Sequence, residues 1–125
     1  MGCVGYCLTG GYSISTAAHF PNEIAAAASF CGTFMTTELP DSPHCTVGKT
    51  KAELYLGLAQ KDRFVPKEMM DKFDTAARAS GINYEIEVYP EAQHAFMFPQ
   101  RYSYDKKSAE QHWARLLDLF RRCLE

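Results

Sequence analysis

Apolar positions recur with two different periods along this chain, and their alternation sketches a fold. Residues 83–89 (NYEIEVY) alternate polar and apolar side chains, the period-2 pattern of a strand. Residues 67–80 instead set Met69, Met70, Phe73, Ala76 and Ala77 on one face of a helix, with Gly81 as a C-terminal stop. Lys106 to Leu124 repeats the helical pattern, with Ala109, Trp113, Leu116, Leu117, Phe120 and Leu124 as its stripe. Short apolar runs mark further strands at residues 2–6, Ala25–Phe30 and Glu53–Leu58, and residues 10–20 read as a helix. The segment Thr33–Thr50 is polar and carries Pro40 and Pro43, so it is expected to be a loop, as is Pro90–Tyr104.

The expected order is strand, helix, strand, strand, helix, strand, helix. Such alternation predicts an α/β fold, a mainly parallel sheet with flanking helices. At 125 residues the chain is long enough for one domain with a core and too short for two.

Composition narrows the function. A net charge of −2 gives no basic excess for nucleic acid, and there is no acidic tail. The longest apolar runs are too short to span a membrane. The five cysteines are an odd number, and the N-terminus has neither a basic region nor a cleavage site. The expectation is a cytoplasmic setting with free thiols. The start Met1-Gly2-Cys3 invites an acylation reading, but the myristoylation pattern wants Ser or Thr where Tyr6 stands.

Candidate chemistry begins at Gly5-Tyr6-Cys7-Leu8-Thr9-Gly10, which has the layout of a nucleophile elbow with Cys in place of Ser. An elbow needs small residues on either side of its strained nucleophile, and Gly5 and Thr9 fill those positions. Two further candidates follow later strands: Asp62 after residues 53–58, and His94 after residues 83–89. All three lie past the C-terminal ends of predicted parallel strands, where ligands collect in open α/β sheets. The order nucleophile, acid, histidine is that of an α/β-hydrolase triad.

A free thiol with a pKa of about 8.5 is mostly protonated at neutral pH. A neighbouring histidine would take its proton, a carboxylate would fix the imidazole tautomer, and the backbone N–H of Leu8 would donate to an oxyanion. Each residue alone has a plainer reading: Cys7 as a small core residue, Asp62 as a helix-start charge, His94 as a structural histidine. Their joint order favours chemistry. His19, His44 and His112 fit no such pattern. The Cys3/Cys7 pair has C-x3-C spacing, a weak redox or metal signal.

The elbow, Ala28-Ser29-Phe30-Cys31-Gly32, Asp41-Ser42-Pro43-His44, Ala59–Pro66, Tyr89–Phe96 and Tyr104-Asp105 with Trp113 together resemble the dienelactone hydrolase family. The resemblance covers essentially the whole chain and corresponds to the C-terminal half of the family's domain. It implies a partial α/β-hydrolase fold and carboxymethylenebutenolidase-like hydrolysis of esters or lactones. Cys7 would be the nucleophile, His94 the base and Asp62 its orienter, acting through an acyl-enzyme. No metal, no organic cofactor, no nucleic acid and no membrane is expected; the implied partner is a small ester or lactone. An exposed sheet edge is expected to allow homo-oligomers, and the alternative reading is a non-catalytic fragment that associates with itself or a partner. Two departures stand out. The family's strands before the elbow, with the second oxyanion donor, have no counterpart here. The arginine that follows the family's histidine is also missing between Ala95 and Gln100, the nearest being Arg101.

Overall fold

The computed structural model describes residues 1–124 of the chain. Strand β1 spans Gly2–Tyr6 and runs through a 3-10 turn, Cys7–Thr9, into helix α1, Gly10–His19. Strand β2 is Ala26–Phe30, and a short helix α2, Pro43–Thr46, precedes strand β3, Glu53–Lys61. Helix α3, Lys67–Ser80, strand β4, Tyr84–Gln93, and helix α4, Lys106–Cys123, complete the order. The four strands form one sheet, β1-β2-β3-β4, in which every neighbouring pair is parallel.

Parallel strands need crossover connections, and these place helices on the sheet's faces. On one face Ile14 of α1 and Met70, Phe73 and Ala77 of α3 pack with Leu54 and Leu56. On the other, Leu116 and Leu119 of α4 pack with Phe30, Tyr55, Tyr89 and Phe96. Strand β2 (AAASF) is buried throughout, as a strand covered on both faces must be. Its small side chains leave room for helices on either side. No described helix is long and apolar enough to cross a membrane.

Three features differ from the sequence expectation. Strands β3 and β4 run on to Lys61 and Gln93, past the predicted ends at Leu58 and Tyr89. The extension follows a shift in register: Ala59 faces Tyr89, but Lys61 faces Gln93. Pro90 is tolerated there because it falls in the bulge of an edge strand, where a missing N–H breaks no ladder. Second, the polar segment contains α2, begun by Pro43 at its first turn, where a proline's missing N–H costs nothing. Third, the buried stripe of α4 is Ser108, Ala109, His112, Leu116 and Leu119, while Trp113 and Leu117 face outward. The helix is turned toward its histidine.

The two edge strands differ. Strand β4 carries Glu85, Glu87 and Glu91, and Arg115 of α4 pairs with Glu87 at 2.9 Å. Strand β1 (GCVGY) carries no charge. Charged side chains protect a sheet edge from pairing, and β1 lacks that protection.

Candidate active site

Cys7 sits immediately past β1 with φ of +53°, in the left-handed region that a non-glycine residue adopts only when its surroundings force it. What forces it is close packing around the turn. A Cβ on Gly5 would lie 2.0 Å from the Thr9 carbonyl oxygen. A Cβ on Gly10 would lie 2.4 Å from Ser29 Oγ and 2.6 Å from Gly32 Cα. The obligatory small residues are thus Gly5 and Gly10, and Thr9 is not one of them. A 3-10 turn intervenes before α1 and swings Thr9 to the surface. There its hydroxyl accepts from the Tyr6 N–H and donates to the Tyr6 carbonyl, both at 2.9 Å.

Asp62 follows the end of β3. Its Oδ1 accepts from the Phe64 N–H at 2.9 Å, which fixes the carboxylate in a local turn. Its Oδ2 accepts from His94 Nδ1 at 2.7 Å. The Asp62 side chain is 1% exposed and that of His94 19%, so the pair is largely shielded on the carboxylate side and open on the imidazole side. With Nδ1 committed as donor, Nε2 carries the free lone pair of the neutral ring. Phe64 covers His94 at a centroid distance of 4.9 Å. Behind the imidazole, the His94 carbonyl accepts from Ser103 Oγ at 2.8 Å. Ala95 is then held at φ of +67°.

The structure therefore joins Asp62 to His94 directly and puts Cys7 at the same edge of the sheet. Among the described residues, Cys7 Sγ makes no hydrogen bond to His94. Burial pushes the Cys7 thiol up, the Asp62 charge adds to this, and the Arg101 guanidinium opposes it. The resting thiol is thus protonated at neutral pH. Leu8, whose N–H is the expected oxyanion donor, lies in the turn with its side chain exposed. Beside it a cavity of about 410 Å³ is lined by Leu8, Tyr12, Phe34, Leu39 and Pro43, with Asp41 also on its wall.

Two residues that sequence reasoning did not single out belong to this neighbourhood. Cys31 ends β2 as Cys7 ends β1: Tyr6 and Phe30 are register partners, and both cysteines have φ of +53°. Cys31 is fully buried, and burial pushes its thiol up to about 12. Its sulfur, an Asp62 oxygen and a His94 nitrogen lie within 4.8 Å of one another. The only signal for Cys31 was its place at a strand end. The other is His112 of α4, whose Nδ1 donates to the Ala109 carbonyl at 3.0 Å. Its Nε2 accepts from the Tyr6 hydroxyl at 2.7 Å. This ties the residue before Cys7 to the terminal helix.

Comparison with known proteins identifies the family and the fold. The profile of the dienelactone hydrolase family matches residues 1–124. A Yersinia pestis protein provisionally named a carboxymethylenebutenolidase is 38% identical over 120 residues, which cover 93% of this chain and 44% of that one. A Methylorubrum extorquens protein with the same provisional name is 33% identical, covering 98% and 43%. Among solved structures, a provisionally assigned Klebsiella pneumoniae dienelactone hydrolase superposes with a TM-score of 0.87 at 31% identity, over 95% of this chain and 50% of that one. The chain thus spans about half the length of the relatives it matches.

Proposed function

The chain belongs to the dienelactone hydrolase family, and from that premise we propose that it carries the Cys7–His94–Asp62 machinery of an ester or lactone hydrolase. The observation that carries this reading is the 2.7 Å Asp62–His94 hydrogen bond, formed at the sheet edge where strained Cys7 emerges. With Asp62 holding Nδ1–H, His94 Nε2 is the base. The Cys7 thiol turns toward Nε2 as substrate arrives and gives it the proton, since catalytic hydrogen bonds commonly tighten only in the complex. The sulfur attacks the carbonyl carbon, and the oxyanion accepts from the Leu8 N–H. Collapse expels the alkoxide, which takes the proton from His94 and leaves a thioester on Cys7. Water, deprotonated by His94, then releases the acid and restores the thiol. None of these steps calls for a metal or organic cofactor. The apolar wall of the neighbouring cavity suits a neutral, apolar substituent of the substrate.

The test is acyl transfer from an activated aryl ester, followed by mass spectrometry of the intact chain. The expected result is a thioester adduct on Cys7 and no turnover in Cys7→Ala. Hydrolysis that survives Cys7→Ala overturns the reading.

A second reading is favoured by the uncharged open edge of β1. It makes the chain a non-catalytic unit whose β1 pairs with another copy or with a separate partner chain. An inactive, well-folded oligomer in size-exclusion chromatography supports it, and a monomer that hydrolyses ester refutes it. A cytoplasmic location accords with the five free thiols among the described residues.

A further inference from the structure

Three donors of different chemistry converge at the ends of β2, β3 and β4. Cys31 Sγ, an Asp62 carboxylate oxygen and a His94 ring nitrogen all lie within 4.8 Å of one another. We propose that these three side chains form a binding site for a zinc-like divalent cation, and that the bound cation shuts the hydrolytic site. The binding half stands on geometry alone; the shutting half rests on the function proposed above.

The donor set selects the ion. A thiolate, an imidazole and a carboxylate form a borderline-soft set that zinc takes readily, whereas magnesium and calcium want oxygen alone. With tetrahedral angles and zinc bond lengths, the donors should sit about 3.3–3.6 Å apart. Here Asp62 and His94 are closer than that, at 2.7 Å, and no pair of donors exceeds 4.8 Å. A cation placed between them replaces the bridging proton, which moves to His94 Nε2 as the imidazole changes tautomer, and shifts of about 1 Å complete the site.

Cys31 is fully buried and Asp62 nearly so, which excludes competing water, while the partly open His94 ring gives access. Burial pushes the Cys31 thiol up to about 12, and the Ala95 and Ala59 backbone N–H groups oppose this more weakly, so a cation has to displace the thiol proton. Cys31 loses its proton to solvent on binding, and the fourth position is left to water. A cation there takes both partners of the Asp62–His94 hydrogen bond, so Asp62 no longer orients a free base.

Zinc is titrated into the full chain in competition with a chromophoric chelator. All variants carry Cys45→Ser, because Cys45 Sγ lies 3.5 Å from His44 Nε2 and offers a competing surface pair. The expected result is one zinc per chain, bound at least tenfold more weakly after Cys31→Ser or His94→Gln. Unchanged affinity in Cys31→Ser overturns the site. Circular dichroism checks that this variant folds. If it does not, cobalt is bound to a Cys7→Ala/Cys45→Ser chain, in which a thiolate-to-cobalt absorption band is expected and its absence overturns the site. Zinc that fills the site without slowing ester hydrolysis overturns the shutting step alone. A chain with no hydrolysis at all defeats the functional proposal and leaves the binding assignment standing.

Discussion

His94 and His112 flank the elbow, and the same side chain is held there in two ways. His94 is bonded on one nitrogen to a carboxylate, and its ring is partly open to solvent. His112 is bonded on both nitrogens to neutral groups, the Ala109 carbonyl and the Tyr6 hydroxyl, and is 1% exposed. A carboxylate stabilises an imidazolium, which is what the proposed role of His94 as base requires. Burial without a counter-charge disfavours the imidazolium, and it pushes the His112 pKa down. In the proposed mechanism the first histidine carries the proton during turnover, whereas the second stays neutral and braces the strand behind Cys7.

Substitution should separate these roles. The largest effect is expected from His94→Gln, which should cost ester hydrolysis a factor of about 10³ in initial rate. Its urea midpoint should correspond to a stability change within about 1 kcal/mol, because the glutamine amide can still donate to the buried Asp62 carboxylate. His112→Ala should do the reverse. It removes a buried ring that packs on Phe30 at 4.4 Å and on Tyr6 at 5.4 Å. The expected loss is about 2–4 kcal/mol in urea unfolding, with hydrolysis per folded molecule within tenfold. A His112→Ala chain that keeps its stability and loses turnover would erase the distinction. Tyr6→Phe should cost less, about 1–2 kcal/mol, as it leaves His112 Nε2 buried and unpaired.

The pH dependence of stability gives a subtler separation. The folded chain resists protonation of His112, whereas the unfolded chain takes up the proton at about pH 6.5. Stability should therefore fall as pH drops from about 7 toward 5. His44, whose pKa burial also lowers, acts in the same direction. The His112 share is the difference between the wild type and His112→Phe, whose slope in that window should be shallower. Glu53 and Glu87 act lower. Their arginine partners, Arg122 and Arg115, hold both carboxyls below the usual range. The stability they contribute is lost only as pH falls below about 4.3 and through their folded values. Equal slopes between pH 7 and 5 for the wild type and His112→Phe would show that His112 titrates normally. The smallest effect is expected on the opposite face of α4, where Leu117→Gln, at a side chain 54% exposed, should change stability by about 0.5 kcal/mol or less.

That last variant also marks where the sequence misleads. The hydrophobic stripe of α4 puts Trp113 and Leu117 inward, yet the helix buries His112 and Leu119 instead. A hydrophobicity pattern scores a histidine as polar, and it holds no trace of a tyrosine hydroxyl waiting on β1. The strands, their parallel order and the helices α1, α3 and α4 were legible because apolar strand runs alternate with segments of helical period. Asp62 and His94 were legible as polar residues following two apolar strand runs, although both strands continue past those runs. The extra length of β3 and β4 was not, since it depends on a register shift between two strands, a pairing property that neither strand shows alone. Cys31 was hidden for the same reason: its neighbours come from β3 and β4, and nothing local to Phe30-Cys31-Gly32 names them.

The contact between Gly10 and Gly32 has a consequence for motion. The start of α1 and the backbone just past β2 meet there with no side chain between them. A loop held by side chains can breathe while the sheet stays intact; one held backbone to backbone has no slack to release. The turn at residues 7–10 should therefore open only when the sheet opens. Its amides should exchange with deuterium on the slow schedule of β2 and β3, although the Leu8 and Thr9 side chains lie at the surface.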